Sequence, residues 1–236
     1  LVNCGGSTVA PELVRRVRSI MGTGFSTVYG QTENCPVITL HHINDNIDDI
    51  CNTAGQPVSQ TEVSIRSLDK NQTVDIGIVG EISTRGPSVM LCYNDNPKAT
   101  SETVDAEGWL HTGDLGQMDA RGYVTITGRV KEMIIRGGEN HFPKEIENCL
   151  LEHPDVAEVA VVGLPDEKWG EVIGAFIRSK KPIDEATLHA HCRANISPQK
   201  TPTVWVRVDH FPLTGSGKIQ KFKLKEDYIT GKYPII

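Results

Sequence analysis

Tyr29-Gly30-Gln31-Thr32-Glu33 gathers a phenol, a hydroxyl and a carboxylate at the end of the strand-like run Phe25-Ser26-Thr27-Val28-Tyr29. A threonine hydroxyl delivered there can bond a phosphate oxygen, and a glutamate can hold Mg2+ against that phosphate. Taken alone, the same residues read more readily as a polar turn capping a strand. Trp109-Leu110-His111-Thr112-Gly113-Asp114 places an aspartate after what reads as a glycine turn. A carboxylate there can accept two hydroxyl hydrogen bonds, the usual grip on a ribose, or simply close the turn. Arg136-Gly137-Gly138-Glu139-Asn140 sets adjacent glycines between a strand and a helix. That pair allows positive φ and close approach of a backbone or ligand, and a plain tight turn is an equal reading. Pro212 to Lys221 presents Lys218 on a flexible Gly-Ser-Gly segment. It mimics the end of a Walker motif but has Pro212 where that motif needs glycine and Ile219 where it needs Ser or Thr. A lysine on a mobile loop can nevertheless neutralise developing phosphate charge.

The elements that must carry these groups follow from periodicity. Pro11 to Met21 reads as a helix, with proline in its first turn, Leu13, Val14, Val17 and Ile20 on one face and Gly22 at its end. From Glu62 to Gly128 short alternating strands are parted by turns such as Asp69-Lys70-Asn71-Gln72 and Ala120-Arg121-Gly122, an all-β-like section. After Arg129 the texture changes. Met133-Ile134-Ile135 is a strand candidate, and Pro143 opens a helix with Ile146, Cys149 and Leu150 inward. Val156 to Gly163, Val172 to Ile177 and Thr203 to Val208 are strands, and Asp184 caps a helix running to about Asn195. The expected fold class is therefore α/β and α+β mixed: a β-rich part over residues 1–130 and a small α+β unit over residues 131–236.

Composition narrows the class. The 236 residues, 38% hydrophobic and 23% charged, suit a soluble globular chain of one large or two unequal domains. No apolar run approaches a membrane span and no signal peptide is legible. The formal charge of −6 argues against general nucleic-acid binding, and the basic stretch Lys218 to Lys225 is too short to change that. The six cysteines (Cys4, Cys35, Cys51, Cys92, Cys149, Cys192) include no C-x-x-C pair, which points to free thiols in a reducing compartment such as the cytoplasm or an organelle matrix. His189-Ala190-His191-Cys192 looks metal-like, but positions i and i+2 do not share a helix face. The chain begins at Leu1, inside what reads as the loop Asn3-Cys4-Gly5-Gly6-Ser7, so a truncated or processed product is expected, with removal of the start methionine alone the alternative.

The order of the motifs is more telling than any one of them. Gly5-Gly6-Ser7, Tyr29-Gly30-Gln31-Thr32-Glu33, Gly80-Glu81-Ile82 with Arg85-Gly86-Pro87, and Thr112-Gly113-Asp114 come first. Gly128-Arg129-Val130-Lys131-Glu132, Gly137-Gly138-Glu139-Asn140 with Pro143 and Glu145-Ile146-Glu147, and Gly217-Lys218-Ile219 follow. That succession, spanning nearly the whole chain, resembles the adenylate-forming enzymes: acyl-CoA synthetases, the adenylation domains of peptide synthetases, and firefly-type luciferases. Met133 to Asn140 is most similar to medium- and long-chain fatty acyl-CoA ligases.

The resemblance implies a role for each matching residue. Tyr29 would stack on adenine, with Gly5-Gly6 lying against the same base. Thr32 would bond the α-phosphate and Glu33 would hold Mg2+. Asp114 would grip the ribose hydroxyls, and Arg129 would contact that sugar or the phosphates. Lys131 falls on the hinge, Gly137-Gly138 on the loop lining the pantetheine tunnel, and Lys218 on the lysine bridging carboxylate and α-phosphate. The implied substrates are a fatty acid, ATP and coenzyme A. An acid-adenylating ligase feeding a carrier protein, and a non-catalytic nucleotide- or partner-binding module, are the alternative readings. A peptide-synthetase module would normally continue into a carrier domain, whereas only Phe222 to Ile236 is seen after the lysine motif, so coenzyme A is the expected acceptor. The family's Ser/Thr/Gly-rich loop for the β- and γ-phosphates has no counterpart in the chain, so residues 1–236 alone are expected to be inactive.

Overall fold

The computed structural model describes every residue except 7, 8, 10, 216 and 234–236. Ser7 of the first glycine loop and Ser216 of the Gly-Ser-Gly segment therefore lie outside the described residues. The chain divides into two compact units, Leu1–Val130 and Lys131–Ile236.

In the first unit, β1 (Val2–Gly5) pairs in parallel with β2 (Phe25–Tyr29) across helix α1 (Pro11–Met21). β3 (Thr39–Leu40), α2 (Ile47–Asn52) and β4 (Gln56–Pro57) complete this first sheet in the order β1-β2-β3-β4. Asn46 caps α2 by accepting the amide of Asp49. Only part of the expected apolar face of α1 is inside. Val14 is fully buried and Val17 packs near it with Phe25 and Ile50, whereas Leu13 and Ile20 are exposed. A second sheet is a purely antiparallel meander: β5 (Glu62–Arg66), β6 (Gly80–Arg85), β7 (Leu110–Met118) and β8 (Val124–Arg129). Between β6 and β7 lies a helix the all-β reading omitted, α3 (Pro97–Thr103). Asn96 caps it and Pro97 occupies its first turn, but none of its residues is buried, so no apolar period announced it.

The second unit opens with a hairpin, β9 (Ile134–Arg136) and β10 (Glu139–His141). Gly137 and Gly138 are its turn, with φ of +58° and +85°, the two positive values a type I′ turn requires. They thus join two strands rather than a strand and a helix. α4 (Pro143–Leu151), β11 (Val156–Asp166), β12 (Gly170–Ser179), α5 (Glu185–Asn195) and β13 (Val204–Arg207) follow. The sheet runs β10-β9-β12-β11, with β13 parallel to β12. α4 and α5 cover one face through Ile146, Leu150, Leu188 and Cys192 against Val161, Ile173 and Trp205. The other face is covered by α6 (Lys221–Ile229), where only a tail was expected; its Leu224 packs with Ala160, Val162, Phe176 and Val206. Each face thus has a continuous apolar core of the kind that carries most folding free energy.

The thiols sort by unit. Cys35 and Cys92 are exposed in the first, while Cys149 and Cys192 are buried in the second. Burial pushes the Cys192 thiol up to about 12 and raises Cys149 as well. No helix among the described residues is long and apolar enough to cross a membrane.

Candidate active site

Three strands of the first unit meet at Asp114. Its β7 register partner is Arg129 on β8, and the guanidinium Nε lies 3.0 Å from Oδ1. The hydroxyl of Tyr29, at the end of β2, donates to Oδ2 at 3.0 Å. Asp114 is 8% exposed and Arg129 mostly solvent-facing, so a buried carboxylate sits behind a movable cation. Burial first, and the Asp114 charge second, hold the Tyr29 phenol above its ordinary range. Tyr29 is therefore a neutral donor fixed between the two sheets of this unit.

Asp114 does not follow a turn; it lies within β7. Gly113 takes a φ of +71° inside the strand, and the ladder to β6 shifts between Glu81 and Ser83, which leaves Thr112, Gly113 and Asp114 opposite Ile82 alone. A bulge of this kind re-aims a side chain while keeping the strand intact. Residues the sequence left without a role hold that geometry. Glu81 accepts the Gly113 amide at 3.0 Å and contacts His111 Nδ1 at 2.9 Å. Thr112 donates its hydroxyl to the Ile82 carbonyl at 2.6 Å and accepts the Asp114 amide at 3.1 Å. Arg85, two bonds to Glu62 and stacked over Trp109, braces the same strands.

After Tyr29 the chain turns tightly. A β-carbon on Gly30 would stand 2.0 Å from the Pro36 carbonyl oxygen, so only glycine fits there. A 3-10 turn, Thr32–Asn34, then leaves the Thr32 hydroxyl exposed. Glu33 Oε1 accepts from the Tyr93 hydroxyl at 2.8 Å, and buried Asn34 accepts from Ser88 at 2.8 Å. The carboxylate is thus oriented by a phenol that sequence reasoning missed; an isolated tyrosine 60 positions away carries no local signal. An oriented, partly exposed carboxylate suits Mg2+, which takes one or two carboxylates and completes its shell from phosphates and water. No group of three or more His, Cys, Asp or Glu among the described residues could hold a metal by itself.

Gly5 ends β1 and Gly6 follows it, both exposed. A β-carbon on Gly5 would meet the Val28 carbonyl oxygen at 2.5 Å, and Gly6 has a φ of +80°. In the second unit Lys131 is exposed, and its neighbours form a short 3-10 turn, Val130–Glu132. The Gly137-Gly138 turn is exposed above Trp169, whose carbonyl accepts the Gly137 amide at 2.9 Å. Lys218 is exposed, but its loop is not slack. Leu213 bridges Ile219, the Thr214 amide reaches the Lys218 carbonyl at 2.8 Å, and the Lys218 amide reaches the Thr214 hydroxyl at 3.0 Å. The motif glutamates of α4 are tied down: Glu145 to Lys200 at 2.6 Å, and Glu147 to the Val161 amide at 2.9 Å.

The unit thus holds a buried carboxylate shared by a phenol and an arginine, and an exposed threonine and an oriented glutamate follow that phenol within four residues of chain. Comparison with known proteins gives the family. Residues 1–94 match the model of the AMP-binding enzymes, and residues 145–218 match that of the AMP-binding enzyme C-terminal domain. The chain belongs to the AMP-binding, adenylate-forming enzymes. It is 44% identical over 227 residues to a putative acyl-CoA synthetase of Bacillus subtilis, and 41% identical over 231 residues to a human mitochondrial medium-chain acyl-CoA ligase. These matches cover 95% and 94% of the chain but 41% and 37% of the relatives, so the chain spans about two-fifths of their length. The fold agrees. A structure of ATP-bound MatB from Rhodopseudomonas palustris superposes with a TM-score of 0.89 at 30% identity, over 97% of this chain and 45% of that one. An o-succinylbenzoate CoA synthetase of Bacillus subtilis, in complex with its acyl-adenylate, superposes at 0.84 with 33% identity, over 94% of this chain and 45% of that one.

Proposed function

We propose that the full-length protein activates a carboxylic acid, of the fatty-acid kind, with ATP and passes the acyl group to coenzyme A. The observation that carries this reading is the convergence of Tyr29, Arg129 and Asp114 from three strands on one buried carboxylate. A carboxylate accepts through two oxygens, so a vicinal diol would bond Asp114 where the Tyr29 hydroxyl and the Arg129 guanidinium now meet it. Tyr29, with its hydroxyl tethered, offers its ring to adenine beside Gly5-Gly6, and Arg129 can turn from the carboxylate towards the sugar or phosphates.

In the first half-reaction a carboxylate oxygen attacks the α-phosphorus, the bond to the β-phosphate breaks, and pyrophosphate leaves. Thr32 bonds an α-phosphate oxygen. Lys218, a compact cation on a long stem, offsets the charge that accumulates there. Glu33, oriented by Tyr93, would hold Mg2+, which neutralises phosphate charge when bound. In the second half-reaction the small unit turns about Lys131, withdrawing Lys218 and bringing Gly137-Gly138 to line the path of the incoming thiol. The thiol attacks the acyl carbon, AMP leaves, and a thioester remains. No charged side chain is needed at a hairpin whose glycines let an extended arm pass close to backbone.

The test is a panel of acids of increasing chain length supplied to the full-length protein with ATP, with and without coenzyme A. Acid-dependent pyrophosphate release and coenzyme-A-dependent thioester are expected, both reduced in Asp114→Ala. Pyrophosphate release whose product passes to a carrier protein and not to coenzyme A would overturn the acceptor; none with any acid would overturn the reading.

A further inference from the structure

Lys221 lies three residues beyond Lys218, at the first position of α6, with its side chain 20% exposed. Its ammonium meets two carboxylates: Glu132 Oε2 at 2.6 Å and Glu147 Oε1 at 2.8 Å. Burial opposes its charge, but Glu147 and then Glu132 outweigh it and hold the group above the ordinary lysine range. Glu132 directly follows Lys131, and 89 positions separate it from Lys221. One turn further along α6, Lys225 meets Glu171 Oε1 at 2.8 Å, and the other Glu171 oxygen accepts the Ile135 amide at 3.1 Å. The helix that follows the Lys218 loop is therefore clipped twice to the segment that follows Lys131. The loop is bound to the helix in turn, since the Gln220 amide donates to the Pro212 carbonyl at 2.8 Å and its side chain to the Leu213 carbonyl at 3.0 Å.

We infer that Lys221 is a positioning residue that couples Lys218 to the hinge. Resting on the function proposed above, this makes the Glu132–Lys221 pair the shortest physical link between the rotating residue and the lysine it must deliver. A lysine on an independently mobile loop would spread over many positions after each rotation. Fastened at Glu132, it arrives in one. The need is specific to the adenylating pose, because thioester formation requires only that Lys218 leave.

Glu132→Gln is the sharpest test, since it removes the negative charge of the hinge-side partner while Lys221 keeps Glu147 and the core is untouched. In the full-length protein it should lower the rate of acid-dependent ATP–pyrophosphate exchange roughly 10- to 100-fold, the scale of a displacement of about 1 Å. Thioester formation from supplied acyl-adenylate should stay within about twofold of wild type, with the melting temperature little changed. Lys221→Met should show the same split where it folds, and Lys221→Arg should recover part of the exchange rate. Equal losses in both half-reactions, or no loss of exchange in Glu132→Gln, overturn the coupling and leave Lys221 as the counter-ion of Glu147. Wild-type protein that exchanges no pyrophosphate with any acid overturns the functional reading instead, so the two failures are distinguishable.

Discussion

The Tyr29 hydroxyl donates to Oδ2 of Asp114 at 3.0 Å across 85 positions of sequence, fastening the end of the first sheet to the third strand of the second. The bond ties the residue proposed to face adenine to the one proposed to hold ribose, so the two parts of a nucleoside would be set by one contact.

Asp114→Ala in the full-length protein should raise the ATP concentration needed for half-maximal pyrophosphate release more than tenfold. Two charge-assisted bonds, each worth roughly 1.5–3 kcal/mol, would be lost. Tyr29→Phe should cost less, because the ring remains. An unchanged ATP dependence in Asp114→Ala returns the residue to a structural role.

The same bond predicts an alkaline signature. The folded Tyr29 phenol titrates above its ordinary value of 10.0, so folding favours the protonated form. Its contribution is fully present below about pH 10 and is lost as pH rises towards the folded value. Thermal melts between pH 9 and 11 should show stability falling, and falling less steeply in Tyr29→Phe. Equal slopes in both proteins would exclude Tyr29 as a source.

Tyr93→Phe removes the donor that orients Glu33. The variant should need several-fold more Mg2+ for half-maximal adenylation while its ATP-binding groups are intact; a magnesium titration at saturating ATP reads this directly. No shift would show that Glu33 serves without an orienting partner.

Lys218→Ala and Lys131→Pro should fail in opposite halves of the reaction. The first should lose adenylation yet still make thioester from supplied acyl-adenylate. Proline fixes φ near −65° and restricts Val130, so the second should form and accumulate adenylate with thioester lost. If both variants lose the same step to a similar degree, two poses of the small unit are not the mechanism.

The two turn glycines should differ in cost. Gly137→Ala meets the Trp169 ring at 2.7 Å as well as a positive φ, whereas nothing lies within 4 Å of a β-carbon at Gly138. Gly137→Ala should cost roughly 1–3 kcal/mol and Gly138→Ala about 1 kcal/mol, read by denaturant titration. Since both cores of the second unit draw only on residues within it, residues 131–236 should melt cooperatively alone.

Elements with local punctuation were legible. The ends of α1 and β2, the proline opening α4 and the Asp184 cap of α5 stand where their residues place them. Elements held by distant partners were not. α6 reads Lys-Phe-Lys-Leu-Lys-Glu-Asp-Tyr-Ile, with only Leu224 buried and its lysines matched to glutamates far upstream, so no period marked it. Gly113 reads as a turn because glycine usually is one; the bulge that keeps it in β7 depends on Glu81 from β6. For the site, the adenylate-forming motifs supplied the named residues, but the partners that orient them, Tyr93 and Glu81, became visible only in three dimensions.

The distribution of thiols makes the second unit a blank canvas for spectroscopy. Its two cysteines are shut inside between α4 and α5, with the Cys192 thiol at about 12 far from its reactive form. A maleimide dye added to the folded chain should therefore take Cys35 and Cys92 first, half-buried Cys4 and Cys51 more slowly, and spare residues 131–236. With the reactive thiols outside the small unit replaced, a cysteine placed on its exposed surface becomes a selectively addressable anchor. A fluorophore there could follow the turnover cycle in real time without disturbing either core.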